Sequence, residues 1–270
     1  MRRPFAKPFL SLAVSLALSP LAAHHAAAQE APWALSGNVT LASDYRFRGL
    51  TQTQKRPVIQ GTFDAVHASG LYAGLFGSSV SNAAYNNGSG TEIDVYGGYR
   101  HAWGDGNNID AGIVTYWFPS AGYQLQGRHI DYDTQEAKLA VNLGSFNVTG
   151  WVGLSKHWFG FAADPVSGQQ VKTRGTGYIE VNWSRELAPG LVLALHAGRQ
   201  HLRHLGDYDF NDARIAVTKT YKQWSFSLAA MHNDGDADRA GVPIWTFFDA
   251  DGRGKHVAGS ALVISASQNF

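Results

Sequence analysis

The 270-residue chain contains no cysteine, so disulfide bonds cannot hold this protein together. After residue 28 it has no apolar run as long as a membrane-spanning helix requires, which excludes a helical inner-membrane protein. Basic residues exceed acidic ones by only one over the whole chain, for a formal net charge of +1, and this near balance argues against nucleic acid as a partner. Repeats of roughly 20–50 residues are also absent, which excludes propellers and solenoids.

The first 28 residues have the organisation of a secretory signal peptide. Arg2, Arg3 and Lys7 form a basic region, an apolar stretch follows over 9–23, and Ala26-Ala27-Ala28 offers small residues for cleavage. An uncleaved membrane anchor is disfavoured because Pro20 interrupts this short stretch and polar sequence follows it. We therefore predict a cleaved signal at 1–28 and one domain over 29–270, which has 19 basic and 21 acidic residues and a formal charge of −2.

Short segments with alternating polar and apolar residues fill the remainder. In the first of them Leu35, Val39 and Leu41 alternate with polar residues, as on a strand whose two faces meet different surroundings. In the third and seventh segments the alternation does not decide which residues face which side. Twelve strands are predicted, at 33–47, 58–66, 71–80, 91–101, 108–118, 134–143, 146–157, 177–185, 191–200, 210–221, 224–232 and 257–270.

The connections between these strands are alternately long and short along the chain. This pattern is typical of a transmembrane β-barrel, which has short periplasmic turns and longer external loops. We therefore predict an all-β fold, an antiparallel up-and-down transmembrane β-barrel of about 12 strands with both termini on the periplasmic side. Counts of ten or fourteen strands would also keep the alternation.

Three blocks near the start suggest a family. They are GNVTLASDYRFRGLTQTQKRPVIQGTFD (37–64), GLYAGLFGS (70–78) and EIDVYGGYR (92–100). Over about 37–118 the chain resembles the TorF family of porins, proteobacterial outer-membrane proteins catalogued as conserved hypothetical. The resemblance implies an outer-membrane barrel with a channel role, and it brings no catalytic residues.

The last residue, Phe270, follows Leu262, Ile264 and Ala266 on one face of the twelfth strand. It resembles the terminal aromatic through which outer-membrane barrels are recognised by the barrel-assembly machinery. An ordinary strand that happens to end in phenylalanine is the alternative. The other predicted partners are outer-membrane lipids, lipopolysaccharide and small polar solutes.

Charged residues occupy the polar phase of the strands, which in a barrel faces the lumen. Both signs occur with a modest acidic excess, and Asp212 belongs to the same phase. Because pores select by rings or opposed stripes of charge, this mixture predicts at most a weak cation preference, and pairing across the lumen would plug it instead. The predicted pore-lining residues are Asp44, Arg46, Arg48, Asp64, Glu92, Asp94, Arg100, Asp110, Glu136, Lys138, Glu180 and Arg214.

A lipid-modifying enzyme is the main rival, because Ser155 with His157 or His129 offers a nucleophile and a base. No Gly-x-Ser-x-Gly motif surrounds Ser155, and the chain is predicted not to be an enzyme. We interpret His201, His204 and Asp207 as solvated loop residues rather than metal ligands.

Two acidic stretches begin like calcium loops, at 234–238 and 249–252, but Trp245 and Ser260 stand where the bidentate glutamate is required. No cofactor or metal is predicted, although loose cation binding stays open.

We predict a channel in the outer membrane of a Gram-negative cell, through which small polar solutes or ions diffuse. Loops 159–175 and 233–256 are expected to shape its mouth. Trp245, Phe247 and Phe248 either fold over the pore or lie exposed to lipopolysaccharide. A closed structural or adhesion barrel is the alternative, since twelve strands lie between the filled eight and the open sixteen.

Overall fold

The structure is a computed structural model that describes residues 32–249 and 251–270. The predicted signal segment 1–28 lies outside these residues. Among the described residues, no helix is both long and apolar enough to cross a bilayer. Helical structure in this part of the chain consists of two short 3-10 turns, Trp158–Gly160 and Gly206–Tyr208.

Twelve antiparallel strands close into one barrel, as predicted, with each strand paired to its sequence neighbours and β1 paired to β12. They are β1 (Trp33–Ala42), β2 (Val58–His67), β3 (Leu71–Ser79), β4 (Thr91–Trp103), β5 (Asn107–Trp117), β6 (Thr134–Leu143), β7 (Phe146–Gly153), β8 (Gly177–Ala188), β9 (Leu191–His201), β10 (Phe210–Tyr221), β11 (Trp224–Asn233) and β12 (Ala261–Asn269).

The two ends of the barrel differ. Tight turns of two or three residues join the strands at one end, which we call the turn end, and six long loops lie at the other, the loop end. Both described chain ends are at the turn end: Trp33 pairs with His67 beside a tight turn. Phe270 exchanges backbone hydrogen bonds with Gly37, at 2.9 and 3.0 Å, and so completes the closure of the barrel.

The loops contain four small hairpins. They pair Arg46–Phe47 with Leu50–Thr51, Gly122–Leu125 with Arg128–Asp131, Asp238–Arg239 with Val242–Pro243, and Thr246–Phe248 with Gly254–His256. The first is central to the site described below, and we call Arg46–Thr51 the plug hairpin.

The outer surface of the wall is apolar. Leu35, Val95, Ile113 and Leu228 are each about half exposed, and they alternate along their strands with more buried residues. This is the period of two expected of a wall with lipid on one side. Exposed aromatic side chains collect near the turn end, as in the aromatic belts of membrane proteins: Trp33, Trp103, Phe146, Tyr221, Trp224 and Phe270.

The buried apolar cluster lies inside the barrel, toward the loop end. It joins inward strand residues such as Phe76 and Tyr116 to loop residues such as Phe47, Trp158 and Trp245. The loops are therefore folded down into the wall rather than extended away from it, and this places the candidate site.

Candidate functional site

Nine of the twelve predicted pore-lining residues lie on barrel strands with their side chains inside the wall. The six carboxylates are almost completely buried, and Arg100 and Lys138 bind one of them from neighbouring strands. These residues are Asp64, Glu92, Asp94, Arg100, Asp110, Glu136, Lys138, Glu180 and Arg214.

The prediction that the first strand continues to residue 47 is wrong. β1 ends at Ala42, and Asp44, Arg46 and Arg48 belong to the loop that enters the barrel. The chain leaves the wall here because Asp44 accepts hydrogen bonds from Thr53 Oγ1 at 2.9 Å and from Arg46 Nε at 2.7 Å, which folds the segment back on itself. Strands β7 and β12 are likewise shorter than predicted, since they end at Gly153 and begin at Ala261.

The plug hairpin turns at Arg48 and Gly49. Their φ angles are +49° and +77°, the pattern of a type I′ turn, whose twist matches that of two short strands. Arg46 Nη1 donates to Gly49 O at 2.8 Å and so braces the turn from inside. The turn points the Arg48 side chain across the barrel.

Arg48 binds the opposite wall. Its Nη2 lies 2.6 Å from Glu136 Oε2 and its Nη1 lies 3.1 Å from Glu136 Oε1, a bidentate ion pair. Gln200 Oε1 accepts a further hydrogen bond from Nη1 at 2.7 Å. Glu136 also accepts from Trp158 Nε1 at 2.8 Å and from Tyr116 Oη at 3.2 Å.

Aromatic rings enclose the Arg48 guanidinium. Its central carbon lies 4.2 Å from the ring centre of Tyr178 and 4.7 Å from that of Phe47, within the range of cation–π attraction. Behind the tip, Asn233 Nδ2 donates to Arg48 O at 2.8 Å. The hairpin is thus held at both sides of the lumen, by β6 in front and by β11 behind.

A second layer of charges lies toward the turn end. Asp110 is its centre: it accepts hydrogen bonds from Tyr72 Oη at 2.7 Å, Arg100 Nη2 at 2.9 Å and Lys138 Nζ at 3.3 Å. Two cations therefore share this one carboxylate.

The far side of the same layer is built differently. His196 Nε2 lies 2.7 Å from Asp212 Oδ2, and Tyr178 Oη donates to Asp212 Oδ1 at 2.9 Å. Glu180 accepts from Trp151 Nε1 at 3.0 Å. Beyond it, asparagines such as Asn108, Asn142 and Asn182 line a cavity of about 80 Å³ near the turn end.

One buried acidic pair has unused acceptors. Among the described residues, no hydrogen-bond partner reaches either carboxylate oxygen of Asp94 or Oε2 of Glu92. Both lie on β4 near Tyr45, whose buried phenol has a pKa well above its ordinary value, first because of burial and then because of these carboxylates. This strand thus places two buried carboxyl side chains side by side on its inward face.

Above the plug hairpin the six loops surround a cavity of about 350 Å³. Every loop contributes to its wall, and the contributed residues are largely aromatic. Loop rings also pair with one another: Tyr85 stacks on Phe118 at 3.8 Å, and Phe161 meets Tyr208 edge-on at 4.8 Å. We call this cavity the vestibule, and its aromatic lining is Phe47, Tyr85, Tyr123, Tyr132, Trp158, Phe159, Phe161, Tyr208, Trp245, Phe247 and Phe248.

Several of the loop residues considered for catalysis or metal binding have partners outside those candidate sites. Ser155 Oγ accepts from the backbone of Gln135 at 2.8 Å, and among the described residues Nδ1 of His157 has no hydrogen-bond partner. His201 binds Asp209 at 2.8 Å, and Asp207 binds Arg239. In the described part of the chain, no group of three or more His, Cys, Asp or Glu side chains is placed to hold a metal ion.

Several residues at this site were not predicted. Tyr72, Tyr96, Tyr116 and Tyr178 point inward and bind carboxylates. On strands with charged residues the sequence indicates which side faces inward. Tyr178, for example, is two positions from Glu180 and so lies on the same face. The sequence gives no comparable indication for the vestibule residues, because loop residues do not follow a periodic pattern.

Solved structures that are similar in fold include porins and another outer-membrane channel. NanC porin shares 9% identity with a TM-score of 0.53, covering 87% of this chain and 99% of that one. KdgM porin in complex with disordered oligogalacturonate shares 7% identity, with a TM-score of 0.49 and coverages of 87% and 98%. An outer-membrane channel of Pseudomonas putida F1 shares 10% identity, with a TM-score of 0.44 and coverages of 87% and 95%.

No curated protein matches the chain. A family model matches residues 26–269, nearly the whole length. The chain therefore belongs to the family described as bacterial protein of unknown function (Gcw_chp).

Proposed function

We propose that this protein is a channel in the outer membrane of a Gram-negative cell, through which small polar solutes or ions diffuse. The observation that carries the proposal is the position of the plug hairpin, a short element of six residues that extends into a charged lumen and is held at its tip by polar contacts. An apolar outer face and a polar inner face support the membrane location.

Passage depends on the plug hairpin in this proposal. With the hairpin in place, Arg48 and its aromatic neighbours fill the lumen at the level of Glu136. When the hairpin moves aside, solutes would meet the layer of Asp110, Lys138, Glu180 and Arg214. Because that layer mixes both signs, the expected selectivity is a weak cation preference at most. The resemblance of 37–118 to TorF-family porins supports the same function, and no catalytic step is part of it.

Conductance tests the proposal. The refolded protein is inserted into a planar bilayer and current is recorded in potassium chloride across a range of voltages. Discrete current steps interrupted by closures are expected, because the hairpin alternates between its bound and displaced positions. Persistently flat traces, recorded with protein whose folding has been verified by circular dichroism, would contradict the channel proposal.

A closed structural or adhesion barrel is the second candidate, and one specific observation favours it. The loop-end half of the interior is packed with buried apolar side chains, including Phe47, Phe118 and Trp245. A closed barrel predicts flat traces together with a loss of cell-surface binding when the long loops are shortened. The same bilayer recording therefore separates the two candidates.

Export and assembly are part of the proposal. Residues 1–28 would be removed on export, which mass spectrometry of the membrane-extracted protein tests directly. The assembly machinery would recognise the last strand, since Phe270 is 70% exposed beside outward Leu262 and Ile264. Phe270→Ala should then lower the amount of folded barrel in outer membranes, whereas Phe226→Ala, at another exposed outward position, should not. Lipids and lipopolysaccharide are the expected neighbours of the outer face.

A further inference from the structure

The described residues in the wall of the vestibule carry no charge. They include no Asp, Glu, Lys, Arg or His. Burial raises the pKa of Tyr132 and of Tyr208 to about 12 each, so both phenols remain neutral at physiological pH. This distinguishes the vestibule from the charged layers below it and excludes recognition of an ionic ligand through opposite charge.

Several polar side chains of the vestibule are already bound to the protein. Tyr85 Oη donates to Gln52 Oε1 at 2.6 Å, and Gln52 Nε2 donates to Leu50 O at 2.9 Å. Tyr123 Oη donates to Gly160 O at 2.7 Å. What these residues leave for a ligand is mainly the faces and edges of their rings.

The indole nitrogens are committed in the same way. Trp158 Nε1 donates to Glu136 at 2.8 Å, and Trp245 Nε1 donates to Tyr208 O at 3.3 Å. A ligand rich in hydroxyl groups would lose hydrogen bonds to water here and replace few of them, which is costly. A sugar is therefore poorly matched to this wall, although sugars also stack on aromatic rings.

We propose that the vestibule binds uncharged, flat aromatic solutes and is the first binding site on the route into the barrel. Ring faces and edges attract one another at centre distances of about 4.5–7 Å, and the vestibule presents rings from all six loops. Its volume of about 350 Å³ is roughly twice that of a cavity of about 150 Å³ known to accept benzene. One or two fused rings therefore fit.

The vestibule is also in contact with the plug. Phe47 and Leu50 of the plug hairpin form part of its wall, and Trp158 both lines it and binds Glu136. A bound solute would contact both the hairpin and Trp158, which binds the glutamate that holds Arg48. As a statement about the transported solute this inference rests on the proposed channel function, whereas binding itself is measurable without any current.

The test is isothermal titration calorimetry on the full folded protein in detergent, with empty micelles as the blank. Indole is the uncharged aromatic probe, benzoate is the anionic one and glucose is the polyhydroxyl one. Saturable binding of indole is expected, with benzoate and glucose each at least about tenfold weaker. Phe161→Ala removes a ring that contacts both Tyr208 and Trp245 and should weaken indole binding about tenfold or more.

Controls separate binding from folding. Phe248→Ala alters a half-exposed lining ring and should also weaken indole binding, even if Phe161→Ala disturbs the loops. Phe226→Ala removes a ring on the outer wall and should leave indole binding unchanged. Absence of saturable indole binding, or equal binding of glucose, would overturn the inference. Currents without indole binding would refute this inference alone, whereas indole binding with flat traces would refute the channel proposal alone.

Discussion

Arg48 and Glu136 form a bidentate ion pair across the interior of the barrel, with the shorter contact at 2.6 Å. Arg48 stands in the loop that follows β1, whereas Glu136 lies on β6, five strands away around the wall in one direction and seven in the other. Both side chains are almost fully buried. This pair joins the plug hairpin to the far wall, and the first prediction concerns its loss.

Replacing one partner should free the hairpin. Breaking a buried ion pair typically costs about 3–5 kcal/mol, because the remaining charge is left without compensation. Glu136→Gln keeps the shape of the side chain and an acceptor for Trp158, yet removes the charge that holds Arg48. In planar bilayers we expect a higher open probability for Glu136→Gln and for Arg48→Ala than for the unaltered protein.

Arg199→Gln provides the control for this comparison. Arg199 also faces an acidic partner, Asp209, but at 4.0 Å and with an exposed side chain, where ion pairs contribute little. Its traces should match those of the unaltered protein. If Glu136→Gln behaved like Arg199→Gln, the ion pair would have no part in closing the lumen.

A second prediction concerns the space beneath an inward tyrosine. Tyr178, which supports Arg48 and binds Asp212, lies flat over Gly198, where a Cβ atom would come within 2.5 Å of the tyrosine Cζ. Gly198→Ala must displace this ring, and overpacking of this kind costs about 1–3 kcal/mol. The midpoint of thermal unfolding in detergent, followed by circular dichroism, should fall.

Gly150→Ala is the matched control, because Gly150 is also in a barrel strand and its added Cβ would meet nothing within 4 Å. Its unfolding midpoint should stay near that of the unaltered protein. Equal midpoints for the two alanine variants would show that Tyr178 is not held against Gly198.

A third prediction tests which surface meets lipid. Ile113, in the middle of β5, and Val166, in the loop after β7, are each 54% exposed. The two positions therefore differ in whether lipid or water is expected around the side chain, and not in how far the protein buries it. Arginine at the midplane of a lipid-facing strand costs about 2–4 kcal/mol. In urea titrations of protein folded into lipid vesicles, Ile113→Arg should lose about this much stability, and Val166→Arg should lose little. A similar small loss for both would contradict a membrane-embedded wall.

The strands were predictable from sequence because their pattern is local. Polar and apolar residues alternate with a period of two, so Ile93, Val95 and Tyr99 already separate from Glu92, Asp94 and Arg100 within β4. For β3 the sequence did not decide which face is inward, because Tyr72 and Phe76 put aromatic rings on the inward face. There the interior is not uniformly polar, and alternation alone cannot distinguish the sides.

The plug was not predictable for the opposite reason. Arg48 is separated from Glu136 by 88 positions and from Gln200 by 152, and no local pattern encodes contacts over such distances. In the sequence the alternation continues through Tyr45 and Phe47, so the predicted first strand is too long. These rings are buried inside the barrel instead of facing lipid.

The most direct test of the account is to lock the plug hairpin reversibly. The chain has no cysteine, and a Cβ on Gly49 would lie 2.9 Å from Cβ of Asn233, so a shift of under about 1 Å brings the two to disulfide spacing. Single-channel current is recorded for the double variant Gly49→Cys with Asn233→Cys, first oxidised and then reduced in the same bilayer. We predict current steps after reduction and their suppression while the disulfide is intact. Equal current in both states, with the cross-link confirmed by mass spectrometry, would contradict a lumen controlled by this hairpin.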